Sequence, residues 1–295
     1  MKTKILFLGL VLSLLTISCS KDKNDDGTIT ADEISTNAKL DAANDDVSNV
    51  VEDQFDATVS DPTGKSMASV SALLPVCAQV TRVPAIGTPL TAGTTVTKTI
   101  NFGSGCTMPN GNVLSGSIVM TYVYQPGVTP QTINVSYNNF HHNNFLIGGT
   151  KTLTRTMTVA TAASPSHPIV SININLTATN TLNGNVHTRT GTRVREFVEG
   201  FYTPLNIWDN VFKITGNWTT THPNGNSQTS TITTPVMVKF SCANTIAVPR
   251  PSIMAEGVIT TVRNSHTATL DFGNGACDNT AIFTLDGVAH TITIN

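Results

Sequence analysis

The chain has 295 residues, of which 12% are charged and 39% are hydrophobic, and its formal net charge is −2. This nearly neutral balance excludes a protein that holds nucleic acid through a basic surface, because such a surface needs clustered lysine and arginine. The length suffices for one large domain or two small ones.

The N-terminus has the pattern of an export signal. Two lysines precede an apolar run from Ile5 to Ile17, and Ser18 places a small residue immediately before Cys19. The run, of roughly 13 residues, is too short to cross the hydrocarbon core of a bilayer as a helix. We therefore predict a cleaved signal peptide over residues 1–18.

The cysteine at the predicted cleavage point resembles the acylated cysteine of bacterial lipoproteins, although Thr16 stands where leucine is usual. The resemblance implies that Cys19 carries acyl chains that hold the protein on a membrane. Residues 19–29 begin with a charged segment without apolar residues, which predicts a flexible tether. Its acidic, lysine-containing composition is similar to the export signal of Bacteroidota lipoproteins, and a generic spacer is the alternative. The expected location is the outer membrane, lipid-anchored and exposed at the cell surface.

Residues 30–56 are predicted to be helical. Thr30, followed three residues later by Glu33, has the signature of a capping box, and apolar residues recur at helical spacing as far as Phe55. This stripe weakens around Asp45 and Asp46, which predicts a break into two short helices. We expect the apolar stripe to pack on a sheet.

Residues 57–295 are predicted to form an all-β, mainly antiparallel domain. Apolar residues alternate with Thr, Ser and Asn over 132–137 and 170–177, which is typical of strands with one dry face and one wet face. Turn signals rich in Asn, Gly and Pro separate such segments. Roughly a dozen strands then form a sandwich or a curled meander.

Two parts of this domain, about 77–124 and 242–294, resemble each other. Each begins with Cys-Ala and leads through a Phe-Gly-x-Gly turn to a second cysteine. Four such cysteines in an exported chain predict two disulfides, which we assign as Cys77 to Cys106 and Cys242 to Cys277. The alternatives pair Cys77 with Cys242 and Cys106 with Cys277, or Cys77 with Cys277 and Cys106 with Cys242.

No metal site is predicted. The cysteines lack the CxxC spacing of zinc sites, and His141 and His142 lie in an Asn-rich stretch that we assign to an ordinary polar loop.

The repeated motifs occur together with the sequences REFVEGFYTP from Arg195 and CDNTAIFTLDGVAHTITI from Cys277. In this combination the chain resembles a group of uncharacterised lipoproteins of the Bacteroidota, from Thr30 to the C-terminus. The resemblance implies no established activity, cofactor or catalytic residue.

The densest group of candidate ligand-binding side chains consists of Arg195, Glu196, Glu199, Tyr202 and Trp208. Carboxylates beside aromatic rings are typical of sugar-binding sites and of glycosidases. Ordinary solvation of these charges is the first interpretation and ligand binding is the second. A glycosidase is the weakest, because Glu196 and Glu199 are three residues apart and point to opposite faces of a regular strand. We expect no catalytic residue and no cofactor.

These features predict a binding or structural role at the cell surface. The expected partners are the membrane, through the lipid anchor, and a glycan, a protein or the matrix, without nucleic acid. A carrier that encloses an apolar ligand in the curled sheet is the second hypothesis, and a secreted glycoside hydrolase is the third.

Overall fold

The computed structural model of the protein describes residues 27–64, 73–162, 164–203, 206–244 and 253–293. The predicted signal peptide, Cys19 and most of the predicted tether lie outside these residues. Within them, one α-helix, α1, precedes fourteen strands that belong to a single antiparallel sheet. The predicted class, mainly antiparallel β with an N-terminal helix, is confirmed.

Helix α1 spans Ala31–Ser60. The strands are β1 Gln79–Val83, β2 Thr94–Asn101, β3 Cys106–Thr107, β4 Val113–Tyr124, β5 Gln131–His142, β6 Phe145–Met157, β7 Pro168–Asn180, β8 Val186–Glu199, β9 Val211–Thr221, β10 Ser227–Lys239, β11 Met254–Arg263, β12 His266–Asn274, β13 Thr280–Leu285 and β14 Val288–Thr293. Strands that follow each other in the chain are neighbours in the sheet, except that β3 pairs only with β4. The sheet is therefore an open meander with β1 and β14 at its two edges.

The predicted capping box begins α1. Glu33 N donates to Thr30 Oγ1 over 3.2 Å, and Thr30 N donates to Glu33 Oε2 over 3.0 Å, which satisfies two N–H groups at the helix start. The predicted break at Asp45 and Asp46 is wrong, because α1 is continuous for 30 residues. Among the described residues, no helix combines the length and apolarity that crossing a bilayer requires.

The sheet curls around the middle of α1. Residues 43–52 are all buried, and ten consecutive residues at 3.6 per turn point in every direction around a helix. Apolar residues of α1, such as Val47 and Phe55, pack with the inner faces of β2 to β7. Ile34 and Ala38, nearer the helix start, pack with the inner faces of the later strands. Of the two predicted architectures, the curled meander is therefore the one present.

The outer face of the sheet is polar but almost uncharged. One row of directly paired residues crosses the sheet from β2 to β13 with Thr or Asn at every position, and Thr pairs well with its cross-strand neighbours. The row consists of Thr97, Thr121, Asn134, Thr152, Asn173, Thr192, Asn217, Thr231, Thr260, Thr269 and Thr284. The low charge of the chain thus follows from a wet face built of hydroxyl and amide groups.

Both predicted disulfides are confirmed. Cys77 bonds to Cys106, which ties the segment before β1 to β3, with the two Cα atoms 5.8 Å apart. Cys242 bonds to Cys277, which ties a short 3-10 helix after β10 to the connection between β12 and β13, with a Cα separation of 4.9 Å. The alternative pairings are therefore excluded.

Candidate functional site

Buried arginines of β8 meet acidic residues of α1. Arg189, Arg193 and Arg195 all point inward, because alternate residues of a strand share a face, and each is at most 3% exposed. Asp41 of α1 accepts hydrogen bonds from both Arg189 and Arg193, and Glu52 accepts one from Arg195. The contact between helix and sheet is therefore ionic as well as apolar.

The two carboxylates that interrupt the apolar stripe also have partners on the sheet side. Asp45 Oδ1 lies 3.3 Å from Arg193 Nη1, and burial raises the pKa of Asp45 despite that neighbour. Asp46 accepts hydrogen bonds from the side-chain amides of Asn110 and Asn112 over 2.7 and 2.8 Å. These contacts explain why the helix continues where its stripe weakens.

His142 corrects a further expectation. Instead of belonging to a polar loop, it ends β5 with 2% of its surface exposed, and its Nε2 lies 2.8 Å from Asp46 Oδ2. His141 lies beside it in the same strand, and its Nδ1 is 3.1 Å from the backbone oxygen of Asn139. Because neighbouring strand residues point to opposite faces, these two histidines do not form a common site.

Two further buried side chains complete the network. Lys151 of β6 donates to the backbone oxygen of Asn44 over 2.6 Å and to Ser48 Oγ, and burial lowers its pKa to about 7. The Trp218 ring lies beneath Arg193, whose Cζ is 4.0 Å from the ring centroid, which is a favourable position for a cation over a π face. This network holds α1 and leaves little room for a ligand.

A cleft of about 310 Å³ opens beside the second half of α1, and we call it the aromatic cleft. Helix residues, the inner sides of β6 and β8, and the connection from β8 to β9 line it. Its polar lining residues are Asn49, Glu52, Asp53, Asp56, Ser60, Arg155, Arg195 and Asn210, and its ring-bearing residues are Phe197, Phe201 and Phe212.

The three phenylalanines form a continuous wall. Phe197 stacks on Phe212 with ring centroids 4.4 Å apart, and Phe201 meets Phe197 edge to face at 5.9 Å. Such offset and edge-to-face pairs are the favoured arrangements of aromatic rings. The wall is held in place because Phe212 packs into the apolar core, at 5.7 Å from Phe240.

The polar part of the aromatic cleft consists of ion pairs with unused hydrogen-bonding capacity. Arg155 Nη2 lies 2.9 Å from Asp56 Oδ1, and Arg195 binds Glu52. The Nε–H groups of Arg155 and Arg195 are buried and have no partner among the described residues. Burial outweighs the attraction of Arg155 and raises the pKa of Asp56 to about 6. The cleft thus offers both donors and acceptors to a polar ligand.

Of the predicted ligand-binding residues, Arg195 lines this cleft. Glu196 follows it on the opposite face of β8, where its carboxylate lies 3.4 Å from Lys213 Nζ. Glu199 is exposed at the end of β8, after an irregularity in the register with β9. The two glutamates therefore have different surroundings, and Glu196 is occupied by an ion pair.

Tyr202 and Trp208, the two aromatic residues of the predicted ligand-binding group, lie in different surroundings. Tyr202 is 69% exposed, and its ring lies 4.4 Å from that of Phe201. Trp208 is half-buried and packs against the apolar core of the later strands. Tyr202 thus extends the phenylalanine wall outward, whereas Trp208 does not present a free platform. Ligand binding by the predicted group remains a prediction.

Ser164, His167 and Glu196 are in contact, but they do not form a nucleophile with its base. His167 Nε2 lies 2.9 Å from Glu196 Oε1, while its Nδ1 lies 2.7 Å from the carbonyl oxygen of Pro165 and 3.3 Å from Ser164 Oγ. A carbonyl oxygen only accepts, so Nδ1 carries a proton and cannot take one from serine. The hydrogen bond to Glu196 raises the pKa of His167 and lowers that of Glu196.

Sequence reasoning missed most of the aromatic cleft. Asp56 of α1 and Arg155 of β6 are 99 residues apart in the chain, and only the curl of the sheet brings them together. A usable signal existed in Phe197 and Phe201, which lie among the residues of the predicted group. Among the described residues, no cluster of three or more His, Cys, Asp or Glu could hold a metal ion.

No family model matches the chain, and no curated protein and no solved structure is significantly similar to it.

Proposed function

We propose that the protein is a lipid-anchored outer-membrane protein, exposed at the cell surface, that binds a glycan in the aromatic cleft. The leader and the cysteine at its end support the anchor. The two disulfides support export, because such bonds persist in oxidising compartments. The formal charge of −2 argues against nucleic acid as the ligand.

The observation that carries the proposal is an aromatic wall and paired polar groups in one cleft. A sugar ring presents C–H groups on its faces and hydroxyl groups around its edge. The C–H groups pack on the phenylalanine wall, while the carboxylates of Asp53 and Asp56 accept hydrogen bonds from hydroxyls. The guanidinium of Arg155, with 18% of its side chain exposed, donates to hydroxyl oxygens.

The other two hypotheses have less support. A carrier that encloses its ligand inside the curled sheet needs space there, but α1 occupies the middle of the curl, and two pockets next to the helix measure only about 20 Å³ each. An apolar ligand would have to lie in one of the larger clefts beside the helix instead. A glycosidase needs two carboxyl groups placed on either side of the bond that it cleaves, whereas the carboxylates of Glu52 and Asp56 are each paired with an arginine. Both observations favour binding over transport or hydrolysis.

A glycan screen on the purified protein tests the proposal. The glycan that binds most tightly is then titrated into the unmodified protein and into Phe201→Ala, which removes one ring of the wall. We expect the variant to bind about fivefold more weakly, because a ring contact contributes about 1 kcal/mol. His290→Ala is the control, since that ring stacks on Phe283 outside the cleft lining.

Three outcomes would refute the proposal: no glycan bound in the screen, equal binding by Phe201→Ala and the unmodified protein, or equal loss in the control. Release of reducing ends from a bound glycan would instead indicate the hydrolase.

The anchor has its own test. Cys19→Ala removes the thiol that would be acylated, so we expect the protein to move from the membrane fraction to the soluble fraction. Membrane retention of Cys19→Ala equal to that of the unmodified protein would contradict the anchor and leave the cleft proposal intact.

A further inference from the structure

A second cleft, of about 410 Å³, lies on the other side of α1, next to β1 and β2. We call it the lysine cleft, because Lys98 of β2 lines it together with Arg82 of β1 and Gln54 of α1. Its size is within the range of small-molecule sites in proteins. It shares no lining residue with the aromatic cleft.

Lys98 is buried without a carboxylate partner. It is 7% exposed, and its Nζ donates to the backbone oxygen of Gln54 over 2.6 Å and to Gln54 Oε1 over 3.2 Å. An ammonium has three N–H groups, so one of them has no acceptor among the described residues. Both acceptors are neutral groups, and therefore no anion compensates the charge of Lys98 directly.

Arg82 adds a second buried cation to the same cleft. It is 5% exposed, and it donates to the backbone oxygens of residues 62, 63, 84, 85 and 88 over 2.8 to 3.3 Å. These are again neutral acceptors. Arg82 therefore contributes positive potential to the cleft, while its hydrogen bonds hold the connection that follows β1.

The surrounding charges leave this potential only partly balanced. Burial, and secondarily the charge of Arg82, lower the pKa of Lys98 to about 8, while the charge of Asp53 acts in the opposite direction and is the smallest of the three effects. Asp61 also lines the cleft, and its Oδ1 accepts from Thr63 N and Oγ1 over 2.9 and 2.7 Å. An anion next to Lys98 would restore the favourable interactions that the ammonium loses on leaving water.

The rest of the lysine cleft is apolar. Leu74, Pro75, Val76, Ala78, Val80 and Ile86 line it. Val76 and Ile86 are more than half exposed, which is a marked exposure for apolar side chains beside a cavity. A ligand that fits has an anionic end for Lys98 and an apolar body for this wall.

We propose that the lysine cleft binds an amphiphilic carboxylate of the fatty-acid type. The carboxylate accepts the third N–H of Lys98 and faces the positive potential of Arg82. The alkyl chain covers Val80, Ile86 and the apolar residues beside them. This binding is independent of the glycan proposed for the aromatic cleft.

Calorimetric titration of the purified protein with decanoate tests the proposal. Acetate, decanol and decylammonium provide the comparison, because they lack the chain, the charge or the sign of the charge. We expect decanoate to bind at least tenfold more tightly than each of the three. Because the anion stabilises the protonated amine, binding at pH 8 to 9 should take up protons, measured as a dependence of the heat on buffer ionisation.

The variant Lys98→Met keeps the length of the side chain and removes its charge. We expect it to bind decanoate at least tenfold more weakly, whereas Lys239→Met, at a lysine that lies 3.8 Å from Glu256, should bind like the unmodified protein. Equal decanoate binding by Lys98→Met, equal binding of decylammonium or decanol, or no binding of decanoate would each overturn the proposal. The comparison of decanoate with the other three ligands uses the unmodified protein, so it tests the proposal even where a variant does not fold.

Discussion

The middle of the sheet and its first edge both bury cations, but they compensate them differently. On β8, Arg189, Arg193 and Arg195 meet carboxylates of α1. On β1 and β2, Arg82 and Lys98 meet backbone and amide oxygens instead. Lys98 and the arginines of β8 all contact α1, so for them the difference lies in which helix residues stand opposite; the acceptors of Arg82 lie in the connections that follow α1 and β1.

This difference separates cations that hold the fold from cations that remain available. A buried charge with its counter-ion contributes little net stability, but loss of one partner leaves the other uncompensated. A buried charge without a counter-ion already carries that cost and is a natural partner for an external anion. Substitutions at the two kinds of cation should therefore change stability by different amounts.

The largest effect is expected for Asp41→Asn. This change keeps the size of the side chain but removes the charge shared by Arg189 and Arg193, both nearly inaccessible to water. We expect the free energy of unfolding to fall by about 3 to 5 kcal/mol, measured by urea denaturation. Asp32→Asn, at an exposed position in the first turn, is the matched control, with an expected change below about 1 kcal/mol. Equal losses of unfolding free energy in Asp41→Asn and Asp32→Asn would mean that the buried arginines do not need the charge of Asp41.

The second effect is a difference between two substitutions by methionine. Arg195→Met leaves Glu52 buried without its cation, so we expect a loss of about 3 kcal/mol. Lys98→Met removes a cation that has no carboxylate partner, so we expect stability to stay the same or to rise by up to about 2 kcal/mol. Urea denaturation at pH 7 measures both, and losses of similar size would remove the distinction between the two regions.

Much of the fold could be predicted from local sequence patterns. The alternation over 170–177 marks β7, Thr30 and Glu33 mark the helix start, and the Cys-Ala and Phe-Gly-x-Gly motifs identified both disulfide pairs. Each of these signals is either confined to a few residues or repeated in a second part of the chain. The sequence alone was therefore sufficient to predict these elements.

The continuous helix and the clefts could not be predicted in the same way. Asp41 and Arg189 are 148 residues apart, so nothing near either one reveals the other. A warning was visible in β8, where Arg189, Arg193 and Arg195 occupy the face that should be dry. Charges on the dry face of a strand indicate an acidic partner inside the fold, and a helix with unexplained acidic residues is the natural candidate.

The third prediction concerns pH. Lys98 has a pKa of about 8 in the folded protein and about 10.5 when unfolded, so the unfolded state binds more protons between these values. Stability should therefore rise with pH in this range, by about 2 kcal/mol between pH 8 and pH 10. Lys98→Met lacks this group and should lack this part of the rise.

The difference in stability between the unmodified protein and Lys98→Met cancels the contributions of the other titrating groups. Lys151, whose pKa is lowered to about 7, also makes stability rise with pH, and it does so in both proteins. Tyr122, whose pKa is raised to about 12, makes stability fall at higher pH, again in both proteins. Urea denaturation at pH 8, 9 and 10 gives the difference, and parallel pH profiles for the two proteins would show that Lys98 is not desolvated.

The smallest effect is expected for Thr30→Ala. This change removes the hydroxyl that accepts from Glu33 N, but Glu33 Oε1 keeps its 2.9 Å contact with Arg263 on β11. A lost N-cap costs about 1 kcal/mol, measured by urea denaturation, with Ser35→Ala within the same helix as the control. Because α1 is held by ion pairs along its length, the cap should matter several times less than Asp41. A loss from Thr30→Ala as large as that from Asp41→Asn would instead mean that the helix start, and not the contact with β8, controls the docking of α1.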